Sequence, residues 1–187
     1  MKIGKSIYLA DRKKWRAWLK ANHKTAREVW LIYYKKNSGR PRIPYDAAVE
    51  EALCYGWIDS ILKPIDKDRY AQRFSPRRKK SKLSELNRER VKRLIGRNKM
   101  TQAGLNALDD TLNWARNNKT GMPADILRRL RSDPLVWKNF SGFPAAYKRV
   151  RIGWIDSARD RPDIFDQRIR YFLKMTRLNK RFGSIKK

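Results

Sequence analysis

The sequence has very little of the side chains that build metal and redox sites. It contains one cysteine, Cys54, and one histidine, His23, in 187 residues. A single cysteine excludes a disulfide framework within the chain and a cysteine-cluster metal site. A single histidine excludes motifs in which two histidines bind one metal ion, and it leaves little for histidine-based catalysis. We therefore predict no metal site.

Long apolar runs are absent as well. No run approaches the roughly 18 residues that a membrane-spanning helix needs. The first residues carry cations but no apolar stretch of the kind that a signal peptide contains. We therefore expect a cytoplasmic protein without a transmembrane segment.

Acidic side chains are scarce relative to basic ones. The chain has 47 lysines and arginines against 18 aspartates and glutamates, which gives a formal net charge of +29. Charge of this size repels itself in a compact fold unless counterions or a polyanion offset it. One interpretation is a polyanionic partner, nucleic acid first and anionic lipid second. The other is a basic surface that reflects the habitat of the organism.

Apolar patterns predict an α+β fold. Residues 28–36 form a continuous β-branched and aromatic run, which is typical of a strand buried on both faces. Residues 57–63 and 69–75 are joined by the turn-rich segment 64–68 and predict an antiparallel pair. Together these segments predict a small, mainly antiparallel sheet of about three strands with flanking helices.

Helical patterns surround the predicted sheet. Asp11 can cap one helix, and a second begins near Tyr45 and stops at Gly56. From Ser84 the pattern is helical to the end, and one of these helices carries an apolar face made of Leu105, Leu108, Leu112 and Ala115.

A polar stretch at residues 117–121 predicts the domain boundary. The division is an α+β core at residues 1–118 and a helical C-terminal extension at residues 119–187, packed on the core.

A dense basic segment lies between the predicted sheet and the following helix. Residues 77–82 contain five cations in six positions, and Ser84 then offers a helix cap. Basic side chains beside the free N–H groups of a helix start would converge on an anion, a phosphate above all. A solvated charged surface is the alternative. The candidate anion site consists of Trp57, Asp59, Arg73, Arg77, Arg78, Lys79, Lys80, Ser81, Ser84 and Asn87.

Two further side chains could carry chemistry. Asp59 lies in a predicted strand among cations, which predicts a structural ion pair with Lys63 or Arg73. The alternative for Asp59 is a ligand-binding or general-base role. Cys54 at the end of an apolar helix is typical of a core residue, and the only histidine is distant in sequence. No motif supplies a second carboxylate, so we assign no catalytic residue.

Several strings of the sequence form a familiar combination. They are residues 52–59 (ALCYGWID), 73–77 (RFSPR) and 99–104 (KMTQAG). With them the chain resembles the YdeI/OmpD-associated, or bacteriocin-protection, family over roughly residues 10–175. The resemblance implies an α+β domain and an association with resistance to bacteriocins or cationic antimicrobial peptides. It implies no agreed reaction and no cofactor. Leu83 departs from the pattern, because the family usually has a tryptophan there.

Three functions are compatible with these observations. The first is a non-enzymatic basic protein of this family that binds a polyanion such as nucleic acid. The second is an envelope-stress protein that contacts anionic lipid or a membrane-protein partner. The third is an enzyme that acts on a phosphorylated or carboxylated small molecule around Trp57, Asp59, Arg73 and Arg77. Charge favours the first.

Overall fold

The computed structural model of the protein describes residues 2–78, 81–108, 121–183 and 185. The chain divides into two compact units. The first comprises Met1–Lys82 and Arg90–Arg116, and the second comprises Leu83–Glu89 and Asn117–Lys187.

A four-stranded mixed sheet forms the centre of the first unit. Its strands are β1 (Ser6–Tyr8), β2 (Val29–Tyr34), β3 (Trp57–Pro64) and β4 (Arg69–Pro76). They are arranged in the order β1-β2-β4-β3. β1 runs parallel to β2, whereas the other two pairs are antiparallel. The predicted α+β fold with a mainly antiparallel sheet is confirmed, and β1 adds a fourth, short strand.

The continuous apolar run of β2 is buried. Val29, Trp30 and Leu31 have no exposed surface, so both faces of β2 are covered, and its two edges pair with β1 and β4. Tyr33 lies opposite Tyr70 of β4, and the two rings stack with centroids 5.2 Å apart. Such cross-strand aromatic pairs stabilise a sheet and fix its register.

Helices α1 (Arg12–Asn22) and α2 (Tyr45–Cys54) also belong to the first unit. The Asp11 carboxylate caps α1 as predicted, because it accepts hydrogen bonds from two backbone N–H groups of the first turn. The buried Trp15 ring of α1 lies 5.2 Å from the Phe74 ring of β4, so α1 covers one face of the sheet. α2 ends where predicted, because Gly56 turns the chain into β3 with a φ of 76°.

Two more helices follow in the chain. α3 (Glu85–Gly96) begins among residues of the second unit and ends among residues of the first. α4 (Gln102–Asn106) is capped by Thr101, whose hydroxyl accepts a hydrogen bond from the Gly104 N–H and donates one to the Cys54 carbonyl.

The second unit is helical, as predicted. Its helices are α5 (Ala124–Arg131), α6 (Pro134–Gly142), α7 (Ala145–Asp156) and α8 (Pro162–Arg177). Their buried residues form one apolar cluster: Ile126, Leu130, Val136, Phe140, Phe143, Tyr147, Ile155, Ile169 and Phe172. Among the described residues, no helix is both long enough and apolar enough to cross a membrane.

Some predictions fall outside the described residues. They concern Lys79, Lys80, the helical positions Leu112 and Ala115, and the domain boundary between residues 118 and 119. These remain predictions.

Candidate anion-binding site

A surface pocket of about 520 Å³ lies at one end of the sheet in the first unit. It is built by Arg27, two residues before β2, by β3, by β4 and by residues after β4. Its lining consists of Arg27, Ile58, Ser60, Arg73, Ser75, Pro76, Arg78 and Ser81. Three guanidinium groups and three hydroxyl groups therefore meet in one concave surface.

The pairing of β3 with β4 decides which face of the sheet carries the pocket. Residues directly opposite on neighbouring strands lie on the same face. Asp59 is opposite Phe74, whose ring faces α1, whereas Ile58 is opposite Ser75. Side chains alternate along a strand. The pocket therefore lies on the face opposite α1.

A β-bulge adjoins the pocket. The register of β3 with β4 shifts between Asp59 and Leu62, so that both Ser60 and Ile61 lie opposite Arg73. Bulges change the direction of side chains and are frequent beside functional sites. Here Arg73 Nη1 lies 3.3 Å from Ser60 Oγ and donates a hydrogen bond to it. The bulge thus brings a hydroxyl group to the arginine in the pocket.

A carboxylate from outside the pocket lining holds Arg73. Arg73 donates to Glu28 Oε2 from Nε at 2.8 Å and from Nη2 at 2.6 Å. Glu28 Oε1 also accepts a hydrogen bond from Trp30 Nε1 at 3.1 Å. The hydrogen bonds from Arg73 and then from Trp30 lower the pKa of Glu28. Arg73 is therefore fixed in direction, and its charge is compensated.

Arg27 and Arg78 differ from Arg73 because their charges are not compensated. Both are exposed at the pocket, and neither side chain forms a hydrogen bond or ion pair with any described residue. Elsewhere in the first unit, Arg12 and Arg16 both bind the carboxylate of Glu51. The pocket thus keeps two uncompensated positive charges beside one neutralised arginine.

Arg77 shapes the pocket from behind. Its Nη2 donates to the Ser81 carbonyl at 2.5 Å, and its backbone N–H donates to the Gly56 carbonyl at 2.9 Å. Its Nε is buried without an acceptor, and burial lowers the pKa of Arg77. Ser81 Oγ donates in turn to the Arg78 carbonyl at 2.8 Å. These bonds hold the backbone at Arg77 and the carbonyl group of Arg78 in place.

The structure brings together only part of the predicted site. Arg73, Arg78 and Ser81 line one pocket, and Arg77 binds Ser81. Lys79 and Lys80 lie outside the described residues.

Two predicted site residues lie elsewhere. Trp57 is 1% exposed, and its Nε1 donates to the His23 carbonyl at 3.2 Å, so Trp57 is a core residue. Asp59 lies on the α1 side of the sheet and accepts a hydrogen bond from the Tyr45 hydroxyl at 2.5 Å. Of the two cations predicted as ion-pair partners of Asp59, Lys63 and Arg73, the structure pairs Arg73 with Glu28 instead.

The start of α3 is separate from the pocket lining. Ser84 caps α3 as predicted, since its Oγ accepts a hydrogen bond from the Asn87 backbone N–H at 3.3 Å. Both residues belong to the second unit, whereas every residue that lines the pocket belongs to the first. We predicted that the N–H groups at this helix start and the basic side chains bind the same anion. The pocket lining does not support that prediction, because it contains neither Ser84 nor Asn87.

Sequence analysis missed Arg27, Glu28, Ser60 and Ser75. A usable signal existed in the strand register, because pairing β2 with β4 places Val29 opposite Phe74. The residues just before Val29 then lie beside the end of β4. Two arginines and a glutamate at that edge could have been foreseen, but the hydroxyl supplied by the bulge could not.

The pocket lining contains no nucleophile paired with a base. Cys54 is fully buried, as predicted for a core residue, and burial raises the pKa of its thiol. Within the described residues there is no group of three or more histidine, cysteine, aspartate or glutamate side chains that could hold a metal ion. The lining instead presents guanidinium and hydroxyl groups as hydrogen-bond donors.

Two family matches cover most of the chain. Residues 7–107 match the family described as a domain of unknown function (DUF8412), and residues 120–179 match the family described as bacteriocin-protection, YdeI or OmpD-associated. No curated protein and no solved structure matches the chain. The pocket lies wholly within the first match, which spans more than half of the chain. The chain therefore belongs to the DUF8412 family, and its helical C-terminal part is a bacteriocin-protection, YdeI or OmpD-associated domain.

Proposed function

We propose that this chain is a non-enzymatic protein that binds a polyanion, nucleic acid above all, and that the pocket of the first unit holds its phosphate groups. The observation that carries this proposal is the pair of uncompensated arginines, Arg27 and Arg78, in a concave surface with Arg73. Elsewhere in the unit, carboxylates bind several arginines closely.

The donor geometry fits a phosphate group. Guanidinium groups present paired N–H donors that match two oxygens of a phosphate, and such charge-assisted hydrogen bonds are strong. Ser60 and Ser75 can add neutral donors from two neighbouring strands. Because the pocket is open and lacks a glycine-rich loop, it suits the phosphates of a chain passing over it.

The net charge supports a polyanion. At +29 the chain attracts any polyphosphate over long range, and counterion release adds to affinity at each neutralised phosphate. We place this activity in the cytoplasm, where nucleic acid is abundant. On the description of the family that residues 120–179 match, we further propose that this binding serves protection against bacteriocins.

Salt dependence of binding tests the proposal. Fluorescence anisotropy with a labelled single-stranded oligonucleotide, from about 50 to 300 mM salt, gives the slope of log K against log salt. The Arg27→Gln and Arg78→Gln substitutions should each weaken binding and flatten this slope by about 0.7. Arg97→Gln is the matched control, because Arg97 is an exposed arginine of the same unit whose side chain forms no bond with a described residue. It should have a smaller effect.

Two outcomes would overturn the proposal. Equal effects of all three substitutions would mean that only the overall charge attracts the oligonucleotide. Absence of oligonucleotide binding together with tight binding to vesicles of anionic lipid would make the lipid surface the partner. Arg73→Lys adds a test of geometry, because lysine keeps the charge but loses the fork that holds both Glu28 and Ser60.

A further inference from the structure

A second arginine site lies in the second unit, far along the chain from the pocket. Arg151 of α7 is only 6% exposed. Its guanidinium carbon lies 4.7 Å from the ring centroid of Phe182, 5.5 Å from that of Tyr147 and 5.8 Å from that of Trp154. Three aromatic rings therefore surround one cation.

Arg151 lacks an anionic partner. No described residue accepts a hydrogen bond from its side chain or forms an ion pair with it, and its Nε is buried without an acceptor. The exposed Arg149, two residues earlier in the same helix, binds the Glu89 carboxylate at 2.9 Å. Burial of an unpaired charge is strongly unfavourable, and cation–π contacts offset only part of that penalty. Burial accordingly lowers the pKa of Arg151.

The backbone after α8 is shaped around this guanidinium group. Gly183 has a φ of 78°, and a Cβ atom there would lie 2.6 Å from Nη2 and 3.0 Å from Nη1 of Arg151. The Phe182 backbone N–H donates to the Tyr147 hydroxyl at 3.3 Å, which anchors this segment. A glycine is therefore needed for the backbone to approach the terminal nitrogens of Arg151 so closely.

The terminal nitrogens are the part of Arg151 that remains available. Nη1 and Nη2 donate to no described residue. Of the three side-chain nitrogens, only Nε is buried without an acceptor, so Nη1 and Nη2 must contact solvent. Arg181 directly precedes Phe182 in the chain, so a second cationic residue adjoins the segment that covers Arg151.

We propose that Arg151, supported by Arg181 and the backbone at Gly183, forms a binding site for a single phosphate group in the second unit. The guanidinium group supplies paired donors, and the surrounding rings hold it in one orientation before the ligand arrives. The site needs nothing from the pocket of the first unit. A bound phosphate would supply the negative charge that Arg151 lacks within the protein.

Calorimetric titration with inorganic phosphate at constant ionic strength tests this site. Arg151→Met keeps a long apolar side chain among the rings and removes the charge, so phosphate binding by the second unit should be lost. Arg151→Lys keeps the charge and loses the fork, and it should raise the Kd by about tenfold or more. Arg170→Met is the control, because Arg170 is an exposed arginine of the same unit that pairs with no described residue. It should bind phosphate as the parent chain does.

Further outcomes separate this site from the first. The Arg27→Gln/Arg78→Gln double variant should retain phosphate binding at Arg151 even if it no longer binds oligonucleotides. An oligonucleotide with a 5′-phosphate, compared with one lacking it, shows whether the phosphate can belong to a larger ligand. Unchanged phosphate binding by both Arg151→Lys and Arg151→Met would overturn the proposal, and Arg151 would then serve only to anchor Phe182. If Arg151→Met does not fold, the lysine variant alone decides.

Discussion

Removing the carboxylate of Glu28 should strengthen anion binding at the pocket. Glu28 holds Arg73 by two hydrogen bonds and neutralises its charge. Glutamine in its place keeps an oxygen that can accept from Arg73 and from Trp30 but carries no charge. Arg73 then becomes a third uncompensated cation beside Arg27 and Arg78. We therefore expect Glu28→Gln to bind phosphate-bearing ligands more tightly than the parent chain.

The structure sets the size of this effect. A phosphate bound to the free edge of the Arg73 guanidinium group would lie about 6 Å from the Glu28 carboxylate. Their repulsion is about 0.7 kcal/mol at the dielectric constant of water and about 3 kcal/mol at an effective value of 20. The Glu28 side chain is 33% exposed, so the lower figure is the closer one. A change of about 1 kcal/mol corresponds to an affinity about fivefold higher.

The pH dependence of binding has a definite sign. Because the pKa of Glu28 is lowered, its pair with Arg73 stabilises the fold above the ordinary carboxylate pKa of about 4.3. That contribution is lost as pH falls through the lowered value. The affinity of the parent chain for an anion should therefore rise only at pH values below the ordinary carboxylate pKa, where Glu28 takes up a proton. Glu28→Gln should not show the part of this rise that is due to Glu28. Loss of a partly exposed pair should reduce the free energy of unfolding by less than about 1 kcal/mol.

Oligonucleotide anisotropy at fixed salt measures this effect. Asp166→Asn is the control, because it removes one negative charge from an ion pair with Arg129 in the second unit. A diffuse field predicts equal gains for both variants, whereas the pocket predicts a gain mainly for Glu28→Gln. Weaker binding by Glu28→Gln would refute the reasoning, since the carboxylate would then be needed to orient Arg73.

Three further predictions concern the packing of the first unit. Gly104→Ala should lower the free energy of unfolding by about 1–3 kcal/mol or more, because its Cβ would lie 2.2 Å from the Cys54 carbonyl oxygen; Gly96→Ala, in open space at the end of α3, should raise it by up to about 1 kcal/mol in the same denaturant titration. Tyr33→Phe should leave the melting temperature unchanged or raise it, because the buried Tyr33 hydroxyl has no hydrogen-bond partner. A large fall in the melting temperature would show that the hydroxyl does have a partner. The Cys54 thiol should react with a thiol reagent at pH 8 only as fast as the protein opens, because burial raises its pKa, and rapid labelling of the folded chain would contradict its place in the core.

Local sequence patterns were sufficient for most of the fold. The continuous apolar run of β2 follows from burial on both of its faces, and Asp11 and Ser84 cap the helices that they precede. β1 was not predictable in this way. It has three residues, and its parallel pairing with β2 joins segments that are distant in sequence.

The candidate site was predictable only in part, for a physical reason. Arg78 and Ser81 belong to the basic segment 77–82 and Arg73 lies just before it, so composition alone draws attention to them. Arg27 and Ser60 reach the same pocket through strand register and a bulge, which depend on pairing between distant segments.

Strand geometry explains why Arg73 is not the partner of Asp59. The sequence offered Asp59 several cations, but side chains alternate along β3, and Asp59 faces α1 and the Tyr45 hydroxyl rather than Arg73. Glu28 lies beside Arg73 only because of the pairing of β2 with β4. Charge composition does not contain that information.

The most direct test of the account is a nuclear magnetic resonance titration that follows arginine side-chain Nε–Hε signals while a short oligonucleotide is added. We expect the signals of Arg27, Arg73 and Arg78 to shift first and furthest, and these shifts to saturate together. The signals of Arg12 and Arg16, which are bound to Glu51, should move little. Equal shifts of the three pocket arginines and of arginines elsewhere on the surface would contradict the existence of a phosphate site at this pocket.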